Sequence, residues 1–510
     1  MKAYLMFPDR DIDLDIALPP NATDLVQDME IETLLAAMAD GDKFLHEIAY
    51  KTILTGFANT GATIAWRQAV LQDCLDHEAE IRALYAIAIA PLEVRKGIFY
   101  SFSSRYPGML LSGAVRLLEG LRHIIGDLAQ FAGRHHERFR SDALRNLCAT
   151  LVAELDLDYL AAVDEHLKAL HFHHGVLFSA RLGPGNEGRD YVLRRFAPER
   201  WAWLKDIING APPNYHFSIH PRDESGARAL TSLRDEALVN AALTTSRASD
   251  HISDFFAMLR AELAFYIGCL NLRRHLADKD CPICLPVVGA TSDPGVAFED
   301  LRDPCLTLSI AGPVIGNTVD ARASALLMIT GANQGGKSTF LRSLGLAQVM
   351  LQAGMFVTAR HFTAAVRDGL FTHYRRREDT GLNSGKFDEE LVRMSGLVDN
   401  LGHAPLFLFN ESFAATNERE GAEIARQIIL ALIESNVRVV FVTHMYALAE
   451  AFIDHPQIGV TFLRAEREES GARSFRLLPG APLTTSFGQD LYHQIFGNDA
   501  TDQPTQGESI

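Results

Sequence analysis

The stretch that most constrains this chain runs from an apolar segment into a glycine-rich turn. Residues 325–330 read Ala-Leu-Leu-Met-Ile-Thr, and residues 331–338 read Gly-Ala-Asn-Gln-Gly-Gly-Lys-Ser. The pattern predicts a buried strand, a tight turn and the start of a helix, with the spacing of a P-loop. Such a turn points successive backbone N–H groups into one concavity, and the helix dipole adds a positive end, so it can bind phosphate.

Each residue type in this turn has a chemical reason. Gly331, Gly335 and Gly336 let the backbone fold around phosphate oxygens. The Lys337 ammonium would reach the β- and γ-phosphates of ATP, and the Ser338 hydroxyl would bind Mg²⁺. A glycine turn without a ligand is the plainer alternative, but the strand and helix patterns on either side disfavour it.

A second apolar segment carries the acidic part of such a site. Residues 405–409 read Pro-Leu-Phe-Leu-Phe and lead into Asn410 and Glu411. In a Walker B strand the first residue of this pair supports Mg²⁺, and the second orients or deprotonates the attacking water. Here the first position holds asparagine in place of aspartate. We therefore predict a metal-binding pair of Ser338 and Asn410, with Glu411 and Lys337 as catalytic residues.

Two further residues are candidates with simpler alternatives. His444 follows a third buried run, and a histidine at the end of a strand beside the P-loop strand can sense the γ-phosphate. Taken alone it would be an ordinary strand-end histidine. Ser384 lies in a turn before a helix and can present its hydroxyl to a phosphate on a neighbouring subunit. A solvated loop is the simpler interpretation of that turn, and also of the run Arg375–Arg377.

Composition limits the class of protein. The chain has 510 residues, of which 47% are hydrophobic and 22% charged, as in a soluble protein of two or three domains. The sequence has no apolar run of membrane-helix length and no signal peptide, so we predict a cytoplasmic protein without membrane contact. Cys281 and Cys284 have metal-ligand spacing, but plain thiols are favoured because no second pair lies nearby. The net charge of −16 leaves only a local basic surface for nucleic acid.

Hydrophobic periodicity divides the chain near residue 300. Before it the pattern is helical, beginning with one helix over residues 24–38, and strand-like segments interrupt it at residues 176–182 and 191–196. After it, strands and helices alternate, which is typical of an α/β domain with a parallel sheet. We expect a multidomain protein: an all-α part over residues 1–300, a P-loop α/β domain over 301–496, and a disordered tail over 497–510.

Together these motifs resemble those of the MutS family of DNA mismatch repair ATPases. The resemblance covers roughly residues 311–492. Four blocks carry it: ITGANQGGKSTFLRSLGLAQVMLQAGMFVTA from residue 329, LFLFNESFAATNEREG from 406, FVTHMYALA from 441 and TSFGQDL from 485. The helical part is similar to the family's core, long lever helices and a small β-hairpin clamp insertion, here at about residues 172–220. The later domain would be an ABC-type ATPase.

The resemblance also implies roles for individual residues. Asn333, Lys337, Ser338 and Thr339 would hold the triphosphate and Mg²⁺, while Glu411 positions water and His444 contacts the γ-phosphate side. The active form would be a homodimer with nucleotide sites at the interface of its ATPase domains, where Ser384 acts on the partner's nucleotide.

The chain also departs from the family pattern. Asn410 replaces aspartate, and Phe413-Ala414-Ala415 replaces Gly-Arg-Gly. We expect a short member without the N-terminal mismatch-recognition domains. Two hypotheses follow: an ATPase that moves a clamp on duplex or branched DNA read by shape, or a nucleotide-binding DNA clamp or regulator with little turnover because of Asn410. A third, an ABC-type ATPase acting on protein or RNA, fits less well because the sequence lacks the Leu-Ser-Gly-Gly-Gln signature.

The substitution Asn410→Asp separates the first two hypotheses. If asparagine weakens Mg²⁺ support, aspartate should raise kcat for ATP by about tenfold, or about 1.4 kcal/mol of transition-state stabilisation. Steady-state hydrolysis with Mg²⁺ measures the change, with Glu411→Ala as the inactive control. An unchanged kcat would mean that Asn410 already suffices.

Overall fold

The computed structural model describes residues 2–96, 106–173, 175–194, 216, 218–289, 295–331, 335–375, 385–453, 455, 458–467 and 473–482. Several predictions fall outside these ranges: Asn333, Ser384, the block at 485–491, most of the segment 172–220 beyond its first hairpin, and the tail.

The first half of the chain is helical with one hairpin. Several helices begin at a capping side chain; Asp42, for example, accepts hydrogen bonds from the backbone N–H groups of Phe44 and Leu45. The elements are α1 (Ala22–Asp28), α2 (Ile31–Ala39), α3 (Lys43–Leu54), α4 (Gly61–Asp76), α5 (Glu78–Lys96), α6 (Pro107–His135), α7 (Asp142–Glu154), α8 (Leu157–Leu170), β1 (Phe178–Leu182), β2 (Gly188–Leu193) and α9 (Glu224–Ala277).

The second half alternates strands and helices, as predicted. Its elements are β3 (Val287–Val288), β4 (Val296–Leu301), α10 (Pro304–Ser309), β5 (Asn317–Asp320), β6 (Leu326–Thr330), α11 (Lys337–Ala353), β7 (His361–Ala364), β8 (Leu370–Tyr374), α12 (Lys386–Val398), β9 (Leu406–Asn410), α13 (Glu418–Glu434), β10 (Arg438–Val442), α14 (Tyr446–Glu450), β11 (Val460–Arg467) and β12 (Arg473–Pro479).

These elements form two compact units whose limits differ from the boundary near residue 300. One unit comprises Met1–Leu5 and Ala79–Leu263, and the other comprises Met6–Glu78 and Ala264–Ile510. The first helices therefore pack with the α/β part. The boundary at residue 300, as a division between family domains, stays a prediction.

The core of the Ala79–Leu263 unit lies between α6, α8 and α9. Leu111, Leu167 and Leu238 are buried there, and Leu193 of the hairpin packs against them. On the rim, the Arg122 guanidinium on α6 forms two hydrogen bonds, of 2.9 and 3.0 Å, with the Asp164 carboxylate on α8. The hairpin predicted from the strand-like segments is confirmed, with β1 and β2 paired antiparallel.

The other unit is built on a six-stranded sheet in the order β12-β11-β6-β10-β9-β8. The five strands from β11 to β8 are parallel, and β12 is an antiparallel edge strand. Strand β6 lies inside the sheet and all five of its residues are buried, which explains its unbroken apolar sequence. A second sheet has the order β3-β7-β4-β5.

Helix α1 covers the edge of the six-stranded sheet that β8 forms. Asn21 at the start of α1 donates a hydrogen bond to the backbone oxygen of Leu370, at 2.6 Å, and Thr372 donates to the Asp28 carboxylate, at 2.7 Å. Both bonds join α1 to the edge strand β8. Covering an edge in this way removes a surface at which other chains would pair.

The single helix predicted over residues 24–38 is wrong. The chain forms α1 and α2 with a break at Glu30, whose backbone is left-handed with φ +52°. Tertiary contacts gather at this break: the Glu30 carboxylate pairs with Arg342 on α11, and the Cys305 thiol approaches the backbone oxygens of Met29 and Glu30. Local helix propensity is too weak to prevent such a break.

Among the described helices, α9 is long and apolar enough to cross a membrane. However, 83% of its most apolar window is buried inside the protein. This is the pattern of a core helix.

Arg67 on α4 should be a main support of this fold. Its side chain is 3% exposed and donates hydrogen bonds to the backbone oxygens of Met6, at 3.1 Å, and Ala353, at 3.3 Å. Arg67→Ala would leave these carbonyl groups unpaired and should lower the free energy of unfolding by about 2–4 kcal/mol, measured by urea denaturation.

Arg10→Ala is the matched control. Both guanidinium groups lie over the Phe7 ring, at 4.1 Å for Arg10 and 4.6 Å for Arg67, but the Arg10 side chain is 62% exposed. Its loss should change stability by less than about 0.5 kcal/mol. Equal losses in the two variants would contradict the role given to the buried hydrogen bonds.

Candidate functional site

The turn between β6 and α11 has the backbone geometry that its glycines allow. Gly331 has φ +121° and Gly336, at the start of α11, has φ +84°. A side chain at Gly331 would also lie 3.0 Å from the backbone nitrogen of Ala465 on β11. Substitution there would therefore meet both strain and a steric contact.

Lys337 is held inside this turn. It is 4% exposed, and its Nζ donates a hydrogen bond to the backbone oxygen of Gly331, at 2.7 Å. Burial lowers the pKa of the Lys337 ammonium, and the nearby Glu411 carboxylate opposes that change. A buried cation of this kind gains most from an anion bound beside it.

The register of the sheet places the end of β9 at the same edge as the turn that follows β6. Val442 at the end of β10 lies opposite Ile329 on one side and Asn410 on the other. The ends of β6, β10 and β9 therefore stand at one level, at the carboxyl edge where ligands bind in open α/β sheets.

The two predicted metal-binding residues meet at this edge. The Ser338 hydroxyl donates a hydrogen bond to Asn410 Oδ1, at 2.9 Å. Hydroxyl, amide and carboxylate oxygens are the ligands that Mg²⁺ prefers, and Glu411 is the next residue along the chain. The donor set fits Mg²⁺, although an amide oxygen brings no negative charge.

Glu411 and His444 also lie beside each other. His444 Nδ1 is 4.0 Å from Glu411 Oε1, and their side chains are 40% and 26% exposed. The Glu411 backbone is left-handed, with φ +55°, and its N–H donates to the Val442 oxygen, at 2.9 Å. This backbone bond ties Glu411 to the end of the strand that precedes His444.

Most of these groups line one cavity of about 570 Å³, within the range of small-molecule sites, but Gly331 and His444 are not among its lining residues. The predicted residues that line it are Gly335, Gly336, Lys337, Ser338, Thr339, Asn410 and Glu411. Arg375, taken from sequence as solvated surface, is exposed but also lines the cavity.

The sequence analysis missed the apolar lining residues of the cavity. They include Leu306, Ile310, Pro313, Val314, Ile315 and Phe475. Ile310, Ile315 and Phe475 are 37%, 38% and 50% exposed, which is unusual for large apolar side chains gathered in one place. The available signal was an apolar loop, residues 310–315, between two predicted elements, but nothing in the sequence connects it to Phe475.

Two protein-family models match this chain, one in its helical part and one in its α/β part. The model of the MutS2 N-terminal domain matches residues 59–279, and the model of MutS domain V matches residues 327–493. The chain belongs to the MutS family. Domain V, the ATPase-type domain of the family, includes β6, α11 and β9, so the resemblance found in the sequence is confirmed.

Individual relatives are distant and much longer than this MutS-family chain. A DNA mismatch repair protein MutS of Methanococcoides burtonii is 28% identical over 50% of the chain and 27% of its own length. A DNA mismatch repair protein Msh3 of Dictyostelium discoideum is 31% identical over 33% of the chain and 12% of its own length. A human MutS protein homolog 4 is 29% identical over 30% of the chain and 16% of its own length. The chain thus spans about a quarter of these relatives or less.

Lys337→Met tests whether the buried ammonium serves binding more than folding. The variant removes the hydrogen bond to Gly331 and also the cost of a buried charge, so its thermal midpoint should stay within about 2 °C of wild type. Because the lowered pKa means that the folded state holds its proton less tightly, that cost is present at neutral pH and falls as pH rises towards the ordinary lysine pKa.

Nucleotide binding, unlike stability, should change strongly in this variant. We expect Lys337→Met to weaken ATP binding by about a hundredfold, about 2.7 kcal/mol, in calorimetric titration. The control is Lys43→Met, on an exposed lysine at the start of α3. Unchanged ATP affinity in a folded Lys337→Met protein would contradict the assignment of the site.

Proposed function

We propose that this MutS-family chain binds ATP with Mg²⁺ and hydrolyses it in the cavity between α11 and the end of β9. The observation that carries the proposal is the 2.9 Å hydrogen bond between Ser338 and Asn410, beside Lys337 and Glu411. Residues more than seventy positions apart in sequence lie together there, and they are of the types that catalyse phosphate transfer.

The lining of the cavity suits both parts of ATP. The start of α11 belongs to this lining, and its backbone N–H groups and helix dipole favour phosphate. The apolar lining residues suit a flat base, with the Phe475 ring exposed for contact.

Each polar residue of the site has a distinct role in the proposal. Lys337 neutralises the β- and γ-phosphates, and Glu411 orients or deprotonates the attacking water. His444 lies within reach of the same water or of the γ-phosphate through its 4.0 Å approach to Glu411. Mg²⁺, held by Ser338 and Asn410, would reduce the charge on the phosphate oxygens.

A second candidate function is nucleotide binding with little turnover. Asn410 supports it, because its amide oxygen keeps the position of a metal ligand without the negative charge of aspartate. The chain would then act as a nucleotide-controlled DNA clamp or regulator, in which binding alone sets the state.

DNA is the proposed partner, because the relatives bear the names of mismatch repair proteins. The long helix α9 would serve as a lever and the insertion at about residues 172–220 as a clamp. Arg181 and Arg194 on the hairpin are exposed and suit phosphate contacts; the Arg181 side chain is 85% exposed. Because the chain has a net charge of −16, DNA should bind only at a local basic surface, and the binding should be sensitive to salt.

The proposed assembly is a homodimer through domains 301–496 in the cytoplasm. Asn333 would complete the phosphate cradle, and Ser384 would reach the nucleotide of the partner subunit.

The decisive experiment is steady-state ATP hydrolysis with Mg²⁺, first without DNA and then with duplex, mismatched and branched DNA. We expect turnover that one DNA form changes by about threefold or more, or about 0.7 kcal/mol, and that Glu411→Ala abolishes. Turnover that no DNA form changes would contradict the coupling to DNA. ATP binding without turnover would favour the regulator.

A further inference from the structure

The loop that follows β9 holds two residues in a backbone conformation that side chains disfavour. Glu411 has φ +55° and Phe413 has φ +64°, and Ser412 between them is fully buried. Non-glycine residues in the left-handed region are strained and persist where their surroundings hold them. The candidate catalytic carboxylate therefore sits in a loop that must be held from outside.

Glu390 on α12 supplies one such hold. Its Oε2 accepts a hydrogen bond from the Phe413 backbone N–H, at 2.7 Å. A carboxylate forms stronger hydrogen bonds than a neutral acceptor. Because this bond fixes the peptide two residues beyond Glu411, it limits how the Glu411 backbone can turn.

His373 on β8 supplies a second hold on the same loop. Its ring stacks on Phe413, with centroids 5.2 Å apart and planes 14° from parallel. Its Nδ1 lies 2.8 Å from the Ser412 hydroxyl, and its Nε2 donates to the backbone oxygen of Glu390, at 3.0 Å. The Ser412 hydroxyl in turn donates to the His373 oxygen, at 2.5 Å. The histidine thus joins the loop to the same turn of α12.

The burial of the Glu390 carboxyl group costs free energy of folding. It is 6% exposed, and its Oε1 has no hydrogen-bond partner among the described residues. Burial raises the pKa of this carboxyl, while Arg393, Arg375 and Lys386 oppose the change. A buried polar atom without a partner calls for an explanation other than stability.

We propose that Glu390 is a positioning residue for ATP hydrolysis, which holds Glu411 in its working orientation through the Phe413 N–H group. The inference rests on the proposed ATPase function. Phe413 stands where the MutS motif has glycine, a residue that adopts a positive φ freely. The bond from Glu390 thus matters more in this chain, because a phenylalanine must be kept in a conformation that glycine adopts without help.

Three variants distinguish a positioning role of Glu390 from a purely electrostatic role. Glu390→Gln keeps an acceptor oxygen at the same reach, Glu390→Asp keeps the charge but is one methylene too short, and Glu390→Ala removes both. We expect kcat for ATP to stay within about threefold of wild type for Gln and to fall by at least about tenfold for Asp and Ala. Affinity for a non-hydrolysable ATP analogue should stay unchanged, because the P-loop is not altered.

Asp388→Asn on the exposed side of α12 is the control, with wild-type kcat expected. A purely electrostatic role would give the reverse order, with Asp active and Gln inactive, and would overturn the proposal. Wild-type kcat in a folded Glu390→Asp protein would also overturn it.

Amide hydrogen exchange by mass spectrometry gives a readout that does not depend on turnover. Exchange in a peptide covering residues 410–415 should be faster in Glu390→Asp than in Glu390→Gln, with no change in a peptide covering α11. If the wild-type protein binds ATP but does not hydrolyse it, the proposed ATPase function fails. The exchange rates would still decide whether Glu390 holds the loop, and equal rates in all variants would overturn that role.

Discussion

The candidate site depends on the pairing register of β10 with its two neighbours in the parallel sheet. Val442 pairs with both Ile329 and Asn410, so the P-loop and the residues after β9 emerge at one level. A shift by one residue would move every side chain of a strand to the opposite face of the sheet. Val439, Val440, Phe441 and Val442 are all fully buried, so both faces of β10 are closely packed, and a shifted strand would have to repack its neighbours on both sides.

The helix that follows the P-loop is held at both ends by the early helices of its own unit. Near its start, Arg342 pairs with Glu30 and donates a hydrogen bond to Asp303, at 2.6 Å. At its far end, Asn59 donates to the oxygen of Gln352, at 2.9 Å, and Arg67 donates to that of Ala353. Arg67 also places a cation at the negative end of the helix dipole. Residues 6–78 are thus part of the framework of the nucleotide site.

The loop after β9 shows how a departure from a family motif can be accommodated. Position 413 holds phenylalanine where the motif that the sequence resembles has glycine, and its backbone has a positive φ of +64°. The ring is fully buried between His373 and Phe409. This packing stabilises a positive φ that glycine would adopt without strain. Packing therefore holds this loop in place, and the loop presents Glu411 at the cavity.

Local sequence determined the elements of the α/β part, the hairpin and the chemistry of the P-loop, because these depend on periodicity, glycine geometry and short-range spacing. It also placed Lys337, Ser338, Asn410 and Glu411 at element ends, where strand order brings them to one cavity. Only the tertiary structure decided the break at Glu30, the apolar wall that includes Phe475 and the hold of Glu390 on Phe413. Each of these joins residues far apart in sequence, and no local pattern records a contact that the packing of distant elements creates.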